Sequence, residues 1–359
     1  MKIFLLGSGN IGPYHHARFS AASRIIPEFV YLKVPSRDVY RPWGVKTEVA
    51  TFKVLSALRL AEVWTVLKSH RPDVVVTAGY ANPSLFIAAL WARMNDIPVV
   101  MLSDSTIQDK PRNILLEWIK RRYVKFFYAA AFVAGVRSGD YARLLGIGPG
   151  LIRRGVDVVD NSHFYRDESV HVSAPASRHF LCVSRLAAEK NLVNLIKAFE
   201  LYRGGGGTWR LVVAGDGPQS QYLKSIVPKN LGREILFPGW VGYGDLPSFY
   251  HAASCFILPS FSEPWGLVVN EAMAAGLPVL ISEKCGAAPD LCENGVNGFV
   301  FDPQDVGEMS EKMAMISSGE LDLVKMGRES RRIVSAYTPR AWAETFCGIC
   351  ADVLKAKTL

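Results

Sequence analysis

The sequence predicts an α/β protein with two doubly wound parallel sheets, each carrying helices between its strands. Short apolar segments alternate with helical segments along the whole chain, which is the pattern of parallel strands joined by crossover helices. A polar segment at residues 167–177 interrupts this alternation, which then starts again. The length of 359 residues also favours two domains over one.

The predicted strands are short runs rich in apolar and β-branched residues. In the first half they are residues 2–6, 29–34, 73–77, 99–102 and 131–133. In the second half they are residues 180–183, 210–214, 235–237, 255–258, 279–281 and 298–301. The predicted domains are therefore residues 1–168 and 169–335, followed by a C-terminal helix over residues 336–359.

The overall composition is that of a soluble globular protein, with 49% hydrophobic and 21% charged residues. No apolar run reaches the roughly 18 residues that span a bilayer, and the apolar stretch after Lys2 is too short for a signal peptide. We therefore expect a cytoplasmic location. The six cysteines fall in apolar or helical patterns, which favours reduced thiols over disulfides.

Positive charge is concentrated in the first half of the chain. The first 170 residues contain 23 Lys and Arg against 14 Asp and Glu, a net charge of +9, whereas the remainder has 18 against 19, a net charge of −1. A basic face indicates a polyanionic partner, and residues 120–128 mix cations with aromatic residues as interfacial helices do. This segment predicts peripheral membrane contact, or a helix with one solvated and one packed face. No nucleic-acid-binding module accompanies the charge, so we expect no nucleic-acid partner.

The most informative motif places two carboxylates, Glu263 and Glu271, eight positions apart around a Pro-Trp-Gly turn. Glu263 follows the predicted strand 255–258, at the end of a strand where α/β sheets bind ligands, and Glu271 lies in the next helix. Carboxylates accept hydrogen bonds from sugar hydroxyls, and the free N–H groups at a helix start favour an anion. The alternative is that both glutamates are solvated residues near a helix end.

Two cations, Arg185 and Lys190, lie between the strand 180–183 and the next helix. Together they could neutralise a leaving diphosphate by Coulomb attraction. The alternative is a surface pair beside Glu189. The chain contains no Asp-x-Asp triplet that would hold a diphosphate through a metal ion, so neither a metal nor another cofactor is expected.

A glycine-rich loop, Gly7-Ser-Gly9-Asn-Ile-Gly12, follows the first strand and matches the dinucleotide fingerprint. That fingerprint requires an acidic residue at the end of the second strand, and none is present there. The loop therefore leaves two hypotheses open. Its glycines let backbone N–H groups approach a bound ligand, a role that the family resemblance described below assigns to a donor diphosphate, or the chain is an NADP-dependent oxidoreductase. His15 and His16, just after the loop, either line the acceptor cleft or make structural hydrogen bonds.

Residues 178–305 resemble the family-four retaining glycosyltransferases of the GT-B fold, also called glycosyl transferases group 1, of the bacterial polysaccharide or glycolipid type. The match includes the glutamate pair, residues 183–191, residues 284–290 and residues 294–303. The first half of the chain resembles the family more loosely. The resemblance implies two Rossmann-like domains facing a central cleft, with the acceptor bound by the first domain and the nucleotide-sugar donor by the second.

The resemblance also implies roles for individual residues. Glu263 would contact the donor sugar, Glu271 the ribose, and Arg185 with Lys190 the diphosphate. The predicted donor contacts are completed by residues of the turn and of the first loop: Trp265, Gly266, Leu267 and Gly9.

The activity implied is that of a retaining hexosyltransferase. It would move a sugar from a nucleotide diphosphate sugar, with UDP favoured over GDP, to a hydroxyl of a glycan or polyprenyl-linked acceptor at the inner membrane face. The predicted catalytic residues are Glu263, Arg185, Lys190 and Asp104. Family members carry a histidine near Asp104, which this sequence lacks, so Asp104 either accepts the acceptor proton or caps the following segment. A GT-B enzyme that epimerises or hydrolyses nucleotide sugars is the further alternative.

Overall fold

The computed structural model describes residues 1–8, 11–34, 52–57, 59–109, 112–165 and 178–358. The chain divides into two compact units, one made of Met1–Val159 with Tyr337–Leu359 and the other of Asp160–Ala336. Each unit contains one parallel sheet with flanking helices, which confirms the predicted α/β class. The predicted boundary after residue 168 lies outside the described residues.

The first unit is built on a seven-stranded sheet in the order β3-β2-β1-β4-β5-β6-β7. Its elements are β1 (Lys2–Ser8), α1 (Pro13–Ile25), β2 (Glu28–Val34), β3 (Lys53–Ser56), α2 (Leu60–His70), β4 (Val74–Ala78), α3 (Pro83–Met94), β5 (Val99–Ser103), α4 (Ile114–Phe127), β6 (Ala130–Val133), α5 (Val136–Leu144) and β7 (Ile152–Arg154), with a 3-10 turn at Pro149–Leu151. The five strands predicted for this part of the chain are all present.

Residues along β1 alternate between two apolar cores, one on each face of the sheet. Phe4 and Leu6 belong to one core, and Ile3 and Leu5 to the other. Strands covered on both faces read as continuous apolar runs, which explains why the central strands were predictable. The two missed strands, β3 and β7, lie at the sheet edges, are short and contain no buried residue.

The second unit contains a six-stranded sheet in the order β10-β9-β8-β11-β12-β13. Its elements are α6 (Asn161–Phe164), β8 (His179–Val183), α7 (Leu192–Gly204), β9 (Arg210–Ala214), α8 (Ser220–Ser225), β10 (Ile235–Gly239), α9 (Leu246–Ala252), β11 (Cys255–Leu258), α10 (Leu267–Ala274), β12 (Val279–Ser282), α11 (Ala288–Leu291), β13 (Gly298–Phe301), α12 (Val306–Ser317) and α13 (Leu323–Val334), with 3-10 turns at Ala188–Lys190 and Lys229–Leu231. All six strands predicted for the second half are present.

The strand order of the second sheet reverses between β8 and β11. From β8 the chain continues to β9 on one side, and from β11 it continues to β12 on the other. The loops that leave these two strands diverge, and such a topological switch point opens a ligand-binding crevice at the carboxyl ends of the strands. We therefore expect the ligand-binding site at the loops after β8 and β11.

The chain ends in α14 (Pro339–Thr358), which packs against α1 in the first unit. Trp342 and Phe346 on α14 are fully buried, and their rings stack with centroids 4.7 Å apart. Trp342 also approaches Phe19 of α1 at 6.1 Å between ring centroids. The predicted terminal helix is thus an integral part of the core of the first unit.

Candidate active site

The loops after β8 and β11 meet at the switch point of the second sheet. The N–H of Phe261 donates to the carbonyl of Glu189 over 2.9 Å, which joins the two loops through the backbone. Beside this contact the Lys190 ammonium forms an ion pair with the Glu263 carboxylate. Both side chains are largely buried, with 17% and 15% of their surface exposed. Lys190 and Glu263 are therefore not fully solvated surface groups.

Arg185 lies on the same loop as Lys190 but is differently placed. It is exposed, and its side chain makes no hydrogen bond or ion pair with any residue that the structure describes. A guanidinium has five N–H donors in a fixed fork that matches phosphate geometry. The loop after β8 thus presents one cation paired with Glu263 and one cation whose donors are available to a ligand.

Asn191 ties together three of the loops around this site. Its backbone is left-handed, with φ of 58°, and its side chain is buried. The amide nitrogen Nδ2 donates to the carbonyls of Pro259, 3.0 Å away, and Pro303, 2.7 Å away. This role was not predicted from the sequence, although asparagine adopts the left-handed conformation more readily than most residues other than glycine.

Several glycines allow these loops to approach one another backbone to backbone. A Cβ on Gly215, whose φ is 138°, would lie 1.9 Å from the carbonyl oxygen of Ser184. A Cβ on Gly286 would lie 1.7 Å from the carbonyl oxygen of Pro264. The N–H of Gly286 also donates to the Glu263 carbonyl over 2.8 Å. The position of Glu263 therefore depends on the close approach of Gly286.

We expect Gly286→Ala to lower the free energy of unfolding by about 1–3 kcal/mol, because the added methyl group must push the two loops apart. The matched control is Gly244→Ala, because a Cβ at Gly244 meets no atom within 4 Å. Urea denaturation measures both changes. Equal stability of the two variants would show that the loops separate without cost.

The Pro-Trp-Gly turn shapes the start of α10. Trp265 is buried, and its Nε1 donates to Asn270 Oδ1 over 2.9 Å, so the indole lies in the core. Gly266 has a left-handed backbone with φ of 101°, and a Cβ there would lie 3.3 Å from Glu263 Cγ. Leu267 is the first residue of α10 and is partly exposed. Of these three residues, Trp265 and Gly266 act by fixing the turn that carries Glu263.

Glu271 has no exposed surface, so the alternative of a solvated helix residue is wrong for it. Its Oε2 accepts a hydrogen bond of 2.6 Å from the hydroxyl of Tyr250, which is also fully buried. Tyr243 lies close enough to sense the same carboxylate. Burial raises the pKa of Tyr243, and the carboxylates of Glu271 and Asp160 add to the increase. Glu271 is thus the centre of a buried polar cluster and not part of an open surface.

In the first unit, Asp104 directly follows β5 and is exposed. It interacts electrostatically with Arg18, which is buried and donates to the Val156 carbonyl over 2.8 Å. Burial lowers the pKa of Arg18, and the carboxylates of Asp157 and Asp104 oppose that change. Asp104 therefore helps to keep a buried guanidinium charged. The role of Asp104 as a proton acceptor or a cap stays a prediction.

The glycine-rich loop is described only in part, because Gly9 lies outside the described residues. Gly7 belongs to β1, and a Cβ there would lie 2.8 Å from the hydroxyl of Tyr31 on β2. Burial raises the pKa of Tyr31 to about 12. The absence of a side chain at Gly7 is thus explained by the packing of a buried tyrosine, which needs no dinucleotide.

His15 on α1 is held in a neutral state by its surroundings. Its Nδ1 is buried without a hydrogen-bond partner among the described residues, and burial, aided by Arg18, lowers its pKa from 6.5 to about 3. Between these two values the unfolded chain binds a proton that the folded chain does not, so the folded state loses stability as the pH falls below about 6.5.

We therefore expect His15→Gln to flatten the dependence of unfolding free energy on pH between pH 6 and 4, by at most about 1.4 kcal/mol per pH unit. Urea titrations of both proteins at several pH values measure the slopes. Parallel slopes for wild type and variant would mean that His15 titrates normally in the folded protein.

All six cysteines are free thiols, as predicted. Within the described ranges, no group of three or more His, Cys, Asp or Glu residues is arranged to hold a metal ion.

Two parallel sheets with flanking helices, the second of them carrying the Lys190–Glu263 ion pair and the exposed Arg185 at its switch point, have the architecture of the GT-B fold. The structure is similar to that of Anabaena HepE in complex with UDP, with a TM-score of 0.79 and 18% sequence identity over 98% of this chain and 100% of that chain. Residues 166–333 match the family Glycosyl transferases group 1.

Curated relatives agree with this classification. The chain is 25% identical to the sulfoquinovosyl transferase SQD2 of Arabidopsis thaliana over 89% of this chain and 60% of that protein. It is 28% identical to the GDP-mannose-dependent alpha-mannosyltransferase of Corynebacterium glutamicum over 69% of this chain and 60% of that protein. The chain thus spans about three fifths of the length of these two relatives. The family match covers most of the second unit and confirms the family resemblance predicted from the sequence.

Proposed function

We propose that the protein is a retaining hexosyltransferase, which moves a sugar from a nucleotide diphosphate sugar to a hydroxyl of a glycan or lipid-linked acceptor. The observation that supports this most directly is the Lys190–Glu263 ion pair beside the exposed Arg185. A nucleotide sugar offers partners to all three side chains at once. Its phosphate oxygens suit the two cations, and its sugar hydroxyls suit the carboxylate.

Donor binding would rearrange the ion pair without leaving a buried charge unpaired. The diphosphate attracts the Lys190 ammonium, and the Glu263 carboxylate accepts hydrogen bonds from sugar hydroxyls in exchange. This exchange matters because removing one partner from a largely buried pair costs several kcal/mol unless another group replaces it. Glu271 and Tyr250 support the site from the interior of the unit, and a direct contact of Glu271 with the ribose is proposed on the family resemblance alone.

In the transfer step, the bond between the anomeric carbon and the β-phosphate oxygen breaks, and the electron pair remains on the phosphate. Arg185 and Lys190 stabilise the charge that develops there. The acceptor oxygen attacks the same face of the oxocarbenium-like carbon, which retains the anomeric configuration. Asp104 is our proposed acceptor of the hydroxyl proton, on the ground of its place at the carboxyl end of β5.

The donor and the cofactor requirement follow from the same proposal. HepE was crystallised with UDP, whereas the Corynebacterium relative is GDP-mannose-dependent. We propose UDP on the family resemblance, and stabilisation by UDP against GDP decides between them. The two cations supply the charge stabilisation that a metal would otherwise provide, so we propose that the enzyme needs neither a metal nor another cofactor. Full activity in EDTA is the expected result.

The proposal is tested first by thermal stabilisation with UDP, GDP, ADP and NADPH. A ligand at about 100 times its dissociation constant adds about 2.7 kcal/mol of stability, which is readily detected. We expect stabilisation by a nucleoside diphosphate and its sugar. A shift with NADPH alone would instead establish the dinucleotide hypothesis, which has gained no support from the fold or the comparisons.

Product analysis tests the reaction itself. We expect the α-configured donor sugar to appear on the acceptor with its configuration unchanged, as measured by the anomeric proton coupling in NMR spectra. Rapid release of free or epimerised sugar without any acceptor would identify a hydrolase or epimerase and contradict the proposal.

A further inference from the structure

Helix α4 exposes six large apolar side chains to solvent. Its first six residues include five large apolar side chains, and a sixth lies near its end. These six residues, with their exposed fractions, are Ile114 (90%), Leu115 (65%), Leu116 (55%), Trp118 (54%), Ile119 (48%) and Phe126 (58%). We refer to them as the outer face of α4. An exposed apolar patch of this kind marks an interaction surface more often than scattered single residues do.

The opposite side of α4 is firmly packed in the first unit. Val124 is fully buried, and the Tyr123 ring stacks on Phe86 of α3 with centroids 6.0 Å apart. Glu117 accepts a hydrogen bond of 2.7 Å from the hydroxyl of Tyr141 on α5. These contacts anchor α4 in the first unit. The outer face is therefore exposed on a well-packed helix.

The outward residues form a continuous stripe. Leu115, Ile119, Arg122 and Phe126 are separated by three or four positions and therefore share one side of the helix. Trp118 lies beside them, with the Arg122 guanidinium over its ring at 5.0 Å. The Arg93 guanidinium similarly lies over the Phe126 ring at 5.2 Å. Arginine guanidinium groups thus lie over the outward aromatic rings, as in helices that lie in the headgroup region of a bilayer.

The positive charge of α4 and its flanks favours a negatively charged partner. Residues 112–128 contain five cations and one carboxylate. That carboxylate, Glu117, already pairs with Lys120 at 2.6 Å and with Arg112 at 3.4 Å. Arg121, Arg122 and Lys125 remain without an ion pair among the described residues, and each is exposed. A bilayer containing anionic lipids matches both the apolar stripe and these cations.

We infer that the outer face of α4 docks on an anionic lipid bilayer, with its apolar side chains in the headgroup boundary and Arg121, Arg122 and Lys125 against lipid phosphates. The inference deepens the proposed function, on which it rests for the supply of a lipid-linked acceptor. The contact itself is argued from α4 alone. Every helix that the structure describes is too short or too polar to cross a bilayer, so docking would be at the surface.

Vesicle sedimentation tests the docking. We expect the protein to pellet with vesicles of phosphatidylcholine and phosphatidylglycerol at low salt, much less at about 0.5 M salt, and not with phosphatidylcholine alone. Leu115→Glu with Ile119→Glu should lower binding at least about tenfold. Arg121→Gln with Arg122→Gln should lower it about fivefold per cation.

The matched control is Leu201→Glu, since Leu201 is 54% exposed on α7 of the second unit. This variant should bind vesicles like wild type. Quenching of tryptophan fluorescence by brominated lipids reports the depth of insertion. The quenching should be smaller for Trp118→Phe than for wild type. The difference between the two proteins isolates Trp118, because the chain has eight tryptophans.

Four results would each overturn the inference. They are failure of the wild-type protein to pellet, equal binding to both vesicle types, binding unchanged by the α4 variants, and self-association through α4 in sizing experiments. Nucleotide-induced thermal stabilisation, measured on the same proteins, keeps the two proposals distinguishable. Stabilisation without vesicle binding refutes only the docking. Vesicle binding without any stabilisation by nucleotides or nucleotide sugars refutes the proposed function.

Discussion

Lys190→Met is expected to lower kcat/KM for glycosyl transfer by about 10²–10³-fold, the usual cost of removing one preorganised group that stabilises developing charge. Two effects act together in this variant. The leaving diphosphate loses a cation, and the largely buried Glu263 carboxylate loses its ion-pair partner. The methionine side chain keeps most of the apolar stem of lysine, so the change removes charge with little change in packing.

Lys197→Met on α7 is the matched control for this change, because Lys197 is exposed and has no ion pair with the described residues. Initial rates at varied donor concentration measure both proteins, and circular dichroism checks that they remain folded. Activity of Lys190→Met within about threefold of the control would remove Lys190 from the reaction, because an electrostatic contribution to the transition state cannot be that small.

Tyr250→Phe is expected to lower the free energy of unfolding by about 3 kcal/mol, at the upper end of the cost of an unsatisfied buried group. The Tyr250 hydroxyl donates to Glu271 over 2.6 Å, and neither residue has exposed surface. The affinity for the nucleotide should fall as well, because Glu271 lies on the helix that follows the Glu263 loop.

The control for this change is Tyr222→Phe, since Tyr222 is 52% exposed. Urea denaturation gives the stability of each protein, and a double-mutant cycle with Glu271→Gln isolates the contribution of the pair. A coupling energy near zero would mean that the Tyr250–Glu271 hydrogen bond contributes nothing. The buried Glu271 would then be stabilised by its other contacts.

Most of the fold could be predicted from the sequence because its signals are local. The central strands are apolar runs bounded by turn residues, and strands β9, β11 and β13 begin and end at the predicted residues. The edge strands β3 and β7 escaped prediction because half-exposed polar segments have no such signature. On α4, the sequence indicates the cations at 120–128 but not the exposure of Leu115 and Ile119, because apolar residues in a helix ordinarily face the core.

The sequence indicates which residues belong to the candidate site but not which of them contact one another. Strand ends and the family resemblance indicated Lys190 and Glu263, which are 73 positions apart, and the strand order brings them into contact. The burial of Glu271 depends on Tyr250, which lies on a different helix. The Asn191 clamp depends on carbonyls of Pro259 and Pro303, which are distant in sequence. Such tertiary partners leave no periodic trace in the chain.

The most direct test of the central claim is a crystal structure with the nucleotide sugar that stabilises the protein most. The proposed function predicts diphosphate oxygens within about 3 Å of the Lys190 ammonium and the Arg185 guanidinium, and sugar hydroxyls at a similar distance from the Glu263 carboxylate. A donor bound elsewhere, with the Lys190–Glu263 ion pair still closed and Arg185 still facing solvent, would contradict it.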